Sequence, residues 1–368
     1  MFKNKYLVLL VFISTFRVAC AQYRFVDETI LPHTAIESQD RTGTCWSYST
    51  ASFVESEVIR KGHKAVDLSE MFVARNVYKD KARNYMLRQG KANFSQGGLA
   101  HDLLREAGTN GVIPEVVYSG LLPGQTKHDH TELEHAMKGM LDGILQSKKL
   151  TRIWPTALEG ILDAYLGKAP ASFDWEGKTY TPAQFAKELG IAPEEYVTIT
   201  SFSHHPWYSR FVLEIPDNYS NGSYYNVPID ELIEMVDHAI ESGYSVVWDG
   251  DVSEKGFKMK KGLAILPANP KRKDLWSTPG PEQQVNQDRR QAQFETLHTT
   301  DDHLMHLIGT ARDARGGKYY VIKNSWGEVG PYGGLLYMSE PYARLKTVAI
   351  TLHKDALTTT MKEKLHIP

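Results

Sequence analysis

The sequence predicts an α+β protein in two lobes, a helical lobe followed by a β-rich lobe, with a helical insertion between them. Three observations carry that reading. Apolar residues recur at helical spacing through 39–115 and again at 131–147 and 156–166. Between 302 and 350 the pattern changes: Leu304 to Ala311 and Lys318 to Lys323 are short, apolar and rich in β-formers, with Gly316-Gly317 turning between them. The length, 368 residues, suits two domain-sized units or one fold with a large insertion. Apolar residues make up 42% and charged residues 23%, globular usage that excludes a disordered chain, a collagen or a coiled-coil rod. Lys+Arg of 42 against Asp+Glu of 44 leaves a formal charge of −2, so nucleic-acid binding has no global electrostatic support.

The chain opens with Lys3 and Lys5, an apolar run from Tyr6 to Phe16 and the small-residue site Ala19-Cys20-Ala21. That is the layout of a secretory signal peptide occupying 1–21 and cleaved before Gln22; the run is too short for the roughly 20 residues a bilayer span needs. Acylation of Cys20 as a lipoprotein is opposed by Arg17, which stands where such sites carry an aliphatic residue. Losing 1–21 removes three basic residues and no acids, taking the formal charge from −2 to −5. The expectation is an exported, periplasmic or extracellular protein with no membrane span.

Residues 22–115 then form the helical lobe. After an irregular lead-in, a helix starts near Cys45, alternates Trp46, Ser49, Phe53 and Val54 with Glu55, Glu57, Arg60 and Lys61, and closes at Gly62. Asp67 and Glu70 have capping-box spacing ahead of a second helix running through Tyr85. Residues 116–200 are the insertion. Residues 201–368 are the β-rich lobe, interrupted by a helix with Pro228 at N1, Ile229, Leu232, Ile233, Val236 and Ile240 on one face and Gly243 at its end. Pro267, Pro270, Pro279 and Pro281 mark an irregular stretch, followed by a polar helical segment and the two strands near His303 and Asn324.

With Cys20 in the signal peptide, Cys45 is the sole cysteine of the mature chain, and an unpaired cysteine in an oxidising compartment asks for a role. A buried structural thiol is the plain alternative. The surroundings, Gln39-Asp-Arg-Thr-Gly-Thr-Cys45-Trp-Ser, argue for chemistry instead. The thiol sits where free N–H groups and the helix dipole favour thiolate, the form that attacks carbonyls. Such a nucleophile needs a base, a group that orients the base, and donors for the developing oxyanion. His303 and Asn324, on the two strands of one hairpin, supply base and orienter; the expected bond joins Asn324 to Nδ1 and leaves Nε2 toward the thiol. Gln39 can offer its amide N–H₂ to the oxyanion beside the Cys45 backbone N–H. His306 falls on the opposite face of the strand from His303.

Gln39…Gly43-Thr-Cys45-Trp46, Asp302-His303 and Asn324-Ser-Trp326-Gly327, in this order, resemble the catalytic blocks of papain-like cysteine peptidases. The resemblance implies the papain-like two-lobed fold, with a helical lobe beside a β-barrel-like lobe. It implies Cys45 as nucleophile, His303 as general base and acid, Asn324 as orienter and Gln39 as oxyanion donor. It also implies substrate-binding roles for Gly97 and Gly98, similar to the family's glycine pair that hydrogen-bonds substrate backbone, and for Trp326 as a shield over the Asn–His bond. Cys45 and His303 are 258 positions apart, against roughly 130–150 in papain-like enzymes.

The extra length, with Thr181-Pro-Ala-Gln-Phe-Ala-Lys-Glu-Leu, Asn226-Val-Pro-Ile-Asp-Glu-Leu and Val247-Trp-Asp-Gly-Asp251-Val, resembles the bleomycin hydrolase and aminopeptidase C branch. Trp248 and Asp251 are expected at the substrate pocket. The branch implies an aminopeptidase taking peptide substrates, a homohexamer, and a C-terminal arm that lies in the cleft and meets the substrate's amino end. Here the tail ends Leu365-His-Ile-Pro368, several residues short of that arm. An open-cleft endopeptidase and a catalytically silent peptide-binding scaffold are the alternatives; the intact Gln39, Cys45, His303 and Asn324 argue against silence. No cofactor is expected, because the 14 histidines show no HExxH or similar metal-ligand spacing and there is no phosphate-binding glycine loop. Lys148-Lys149, the trio Lys258, Lys260 and Lys261, and Lys271-Arg272-Lys273 read as solvated faces, with no nucleic-acid partner.

Overall fold

The computed structural model describes residues 23–147 and 149–368; the expected signal peptide lies outside them. Strand β1 (Phe25–Ile30) leads into three helices, α1 (Cys45–Arg60), α2 (Glu70–Leu87) and α3 (Ala100–Thr109). Helices α4 (Thr131–Leu145) and α5 (Trp154–Leu166) follow, then a hairpin of β2 (Phe173–Trp175) and β3 (Lys178–Tyr180), and α6 (Pro182–Glu188). The remainder runs β4 (Tyr196–Thr200), β5 (Arg210–Val212), β6 (Ser223–Asn226), α7 (Ile229–Glu241), β7 (Val246–Gly250), β8 (Phe257–Lys258), β9 (Leu263–Ala264) and α8 (Gln287–Glu295). It ends with β10 (His303–Asp313), β11 (Lys318–Lys323), β12 (Leu335–Ser339), α9 (Glu340–Lys346), β13 (Thr347–His353) and α10 (Thr359–Leu365). This is a papain-like α+β architecture, as the sequence predicts. Among the described residues no helix is long and apolar enough to cross a membrane.

Local signals explain most of the helix ends. At the end of α1, Gly62 takes φ +87, a conformation that spares glycine the Cβ clash, and His63 N donates back to Val58 O at 3.1 Å. Ser69, not Asp67, caps α2: its Oγ accepts from Phe72 N at 3.0 Å. Asp67 lies too early to reach that turn, and its carbonyl instead accepts from Glu115 N. Pro228 is the N-cap of α7, one position ahead of the N1 place expected for it, and Gly243 follows the helix at φ +87. Thr181 and Gln184 form a reciprocal capping box at the head of α6.

Helices α1 to α6 share one apolar core. Leu133, Met137 and Leu141 of α4 and Leu158, Leu162 and Leu166 of α5, each set at i, i+4, i+8, enter the core that also holds Trp46, Phe53, Val77 and Tyr78. A second core lies between α7 and the sheet and takes in the tail through Met361, Leu365 and Ile367.

The sheet has eleven strands in the order β5-β6-β4-β13-β7-β10-β11-β12-β9-β8, with β1 added on β10. Strand β10 is its hub. It pairs with β7 from His303↔Gly250 to Leu307↔Val246, with β11 from His306↔Lys323 to Arg312↔Lys318, and with β1 from Ile30↔Gly309 to Phe25↔Asp313. Gly309 is required at the crossing with β1, because a Cβ there would stand 2.1 Å from Thr29 O. Helix α1 packs on β10, so the first residue of each, Cys45 and His303, comes to one cleft.

Candidate active site

The cleft has a volume of about 530 Å³ and is walled by 39–46 and 95–98 on the helical side and by 301–304 and Trp326 on the sheet side. Cys45 is the first residue of α1 and is 8% exposed. The loop ahead of it is fixed by Gln96, whose Oε1 accepts from Gly43 N at 2.7 Å and whose carbonyl accepts from Trp46 Nε1 at 3.0 Å. Gln96 Nε2 in turn donates to Glu134 of α4 at 2.8 Å, tying the nucleophile loop to the insertion.

His303 and Asn324 meet as expected, through the other ring nitrogen. Nε2 of His303 lies 2.8 Å from Asn324 Oδ1. That oxygen also accepts from Ser325 N at 2.8 Å, while Asn324 Nδ2 points to Met259 Sδ at 3.4 Å, so the amide orientation is fixed and the imidazole proton sits on Nε2. Nε2 is the nitrogen farther from the histidine's own backbone, and reaching from the start of β10 to the residue after β11 takes that farther atom. Nδ1 is left as the acceptor, reversing the assignment drawn from sequence. Trp326 covers the pair, its ring 4.9 Å from that of His303, with Phe257 against it at 5.9 Å.

Gln39 is tied to the same edge. Its N donates to Ser325 O at 2.9 Å, its Oε1 accepts from Ser325 Oγ at 2.7 Å, and its Nε2 donates to Thr42 O at 2.7 Å, leaving the second amide hydrogen beside the cleft it lines. Gly97 and Gly98 line the cleft as well. A Cβ would meet Asp217 Oδ2 at 1.8 Å on Gly97 and the Trp46 ring at 2.9 Å on Gly98, so both positions are packed to the backbone.

Two expected pocket residues do not line the cleft. Asp251 follows the end of β7 and turns into the interior, where it accepts from Ser253 N at 2.9 Å and pairs with Lys346 Nζ at 3.3 Å. Trp248 is buried in the second core and donates to Thr347 Oγ1 at 2.7 Å. His306 faces away from the cleft, as strand alternation predicts, and meets Ser52 Oγ at 2.8 Å. Pattern reading missed Gln96, Met259, Glu134 and Asp217: each comes from a distant segment with no local motif. The acidic pair Asp301-Asp302 was visible, but only as a flank of His303.

Burial governs the resting protonation states. It pushes the Cys45 thiol up to about 12, overriding the helix-end effect, with the charges of Asp301, Asp217 and Asp249 adding to the shift. It pulls His303 down to about 4, against the raising influence of Asn324 and Asp302. Both directions favour a neutral thiol beside a neutral imidazole when no substrate is bound. One group that could hold a metal gathers among the described residues, His204, His205 and Glu214, with ligand atoms within 4.8 Å of one another; none of the three lines the cleft.

A helical lobe against a mixed sheet, with a thiol on the first and a histidine–amide pair on the second, is the architecture of papain-like cysteine peptidases. The chain belongs to the Peptidase C1-like family, whose profile matches residues 148–367, bearing out the resemblance read from sequence. The matched part holds His303 and Asn324; Cys45 and Gln39 lie ahead of it. In structure the chain is similar to pepw from Lactobacillus rhamnosis, with a TM-score of 0.70 at 17% identity over 93% of this chain and 84% of that one. The bromelain protease from Ananas comosus aligns at a TM-score of 0.40 and 15% identity, over 89% of this chain and 96% of that one. No curated protein sequence matches the chain significantly.

Proposed function

We propose that the protein is a cysteine-dependent aminopeptidase exported through cleavage before Gln22. The observation that carries the catalytic reading is the 2.8 Å bond from His303 Nε2 to Asn324 Oδ1, which leaves Nδ1 to take a proton in the cleft that Cys45 lines. Cys45 Sγ attacks the peptide carbonyl carbon as its proton passes to His303 Nδ1. Gln39 Nε2–H and the Cys45 backbone N–H hold the oxyanion. The C–N bond breaks as the imidazolium protonates the leaving amine, giving a thioester. His303 then deprotonates water, whose oxygen attacks the thioester carbon; the C–S bond breaks, the acid product leaves and the imidazolium returns its proton to Cys45 Sγ.

A second reading, an endopeptidase, is favoured by the tail. Ile367 is 7% exposed in the second core, and no described residue from 327 to 368 lines the cleft, which leaves it open on that side. Product analysis by mass spectrometry separates the two. Residues 22–368 and the Cys45→Ala variant are incubated with one peptide in free and N-acetylated forms. Stepwise trimming of the free form alone supports the aminopeptidase; internal cuts in both support the endopeptidase. Absence of any Cys45-dependent product across a broad peptide pool would overturn both.

A further inference from the structure

The cleft carries an acidic cluster that the catalytic proposal does not use. Glu134, Asp217, Asp301 and Asp302 line it, and no Lys or Arg among the described residues does. Asp249, 4% exposed at the end of β7, stands behind Asp301 with the two carboxyls in contact. Oδ1 of Asp249 and Oδ2 of Asp301 are both buried and have no donor other than a proton shared between the two carboxyls. Asp217 is held through Oδ1 by Asn93 Nδ2 at 2.9 Å and Ser95 Oγ at 3.3 Å, while its Oδ2 presses on Gly97. The buried Lys81, whose charge reaches Asp217 and Asp301, donates to Gly97 O and Ser95 Oγ. Native interiors seldom leave carboxyl oxygens unpartnered, because their desolvation is then unrepaid.

We propose that Asp217 and Asp301, the latter backed by Asp249, anchor a positively charged nitrogen on the amino-terminal side of a bound peptide, either a free α-ammonium or a Lys or Arg side chain. This deepens the peptidase reading and rests on it for the use of the anchor. The carboxylates that oppose ionisation of Cys45 are these same three. A cation seated among them offsets that smaller contribution, while burial remains the larger one.

The test is a binding measurement that needs no turnover. Affinities of the Cys45→Ala protein are measured by fluorescence anisotropy for one labelled peptide in four forms: amino end free or acetylated, with Lys or Leu near that end. Charged forms should bind roughly 10–100-fold more tightly than the acetylated Leu form. Asp217→Asn and Asp301→Asn should each shrink that advantage. An advantage that follows the free amine assigns the α-ammonium; one that persists in acetylated Lys peptides assigns the side chain. Equal affinity for charged and uncharged forms, or an advantage that survives both substitutions, overturns the anchor. Circular dichroism melts verify folding, and if Asp301→Asn does not fold, the half-buried Asp217→Asn decides. Loss of hydrolysis in the product analysis would sink the peptidase reading, whereas this binding difference stands or falls separately.

Discussion

Gln39 works at the junction of the two walls, held by Thr42 O and by Ser325. Gln39→Ala should lower kcat about 100–1000-fold with little change in KM, since an oxyanion donor acts only once charge develops; steady-state kinetics on the cleaved peptide check this. Gln39→Glu keeps the shape but loses the donor when ionised, and should not rescue. At Cys45, burial holds the thiol near 12, so iodoacetamide alkylation of the free protein should climb steadily from pH 5 to pH 9. A plateau of fast labelling at acidic pH would show a resting thiolate–imidazolium pair instead. Cys45, His303, Asn324 and Gln39 were legible because each sits in a short local signal: a lone cysteine after a glycine turn, or the mouth of one hairpin. Asp251 was misread because the chain leaves β7 at Gly250 and carries the next residue to Lys346, which no strand pattern reports. The ring nitrogen was misassigned for a similar reason. Register says which residues meet, while rotamers decide through which atom.

At the scale of elements, the helices rest on caps and stripes that can be tested one at a time. Ser69 Oγ accepts from Phe72 N and donates to Tyr118 O, so Ser69→Ala should cost about 1–2 kcal/mol in a denaturant melt. Asp67→Ala, at the position pattern alone favoured as the cap, should not cost a cap. Leu162, fully buried in the middle of the α5 stripe, should cost about 2–5 kcal/mol on truncation to Ala. The sequence made these helices readable because i, i+4 stripes and terminal glycines are local. The sheet was not readable in the same way. Strand β13 inserts between β4 and β7, and β1 joins β10, pairings of widely separated segments that only the closed core selects.

Across the whole molecule, buried carboxyls set the pH response. Burial raises Glu55, Asp67 and Asp301 to about 7 and Glu115 to about 8. The folded chain therefore keeps protons that the unfolded chain has lost, and stability falls as pH rises from about 5 through 8. His303 and His130, pulled down to about 4, act oppositely: the unfolded chain takes up their protons below about 6.5, so stability falls on that side. Above pH 6.5 these two histidines no longer act while the carboxyls still do, and melting temperature should decline between pH 6.5 and 8.5 at fixed ionic strength; a flat or rising curve would contradict this balance. One further consequence concerns time. Phe25, in the first strand of the described residues, pairs with Asp313, and the histidine that accompanies Cys45 stands ten residues before that partner. A ribosome releases the chain from its amino end, so the first strand waits without a sheet and the thiol without a base until residues 303–313 have emerged. The assembled thiol–imidazole pair is thus among the later features the newborn chain acquires.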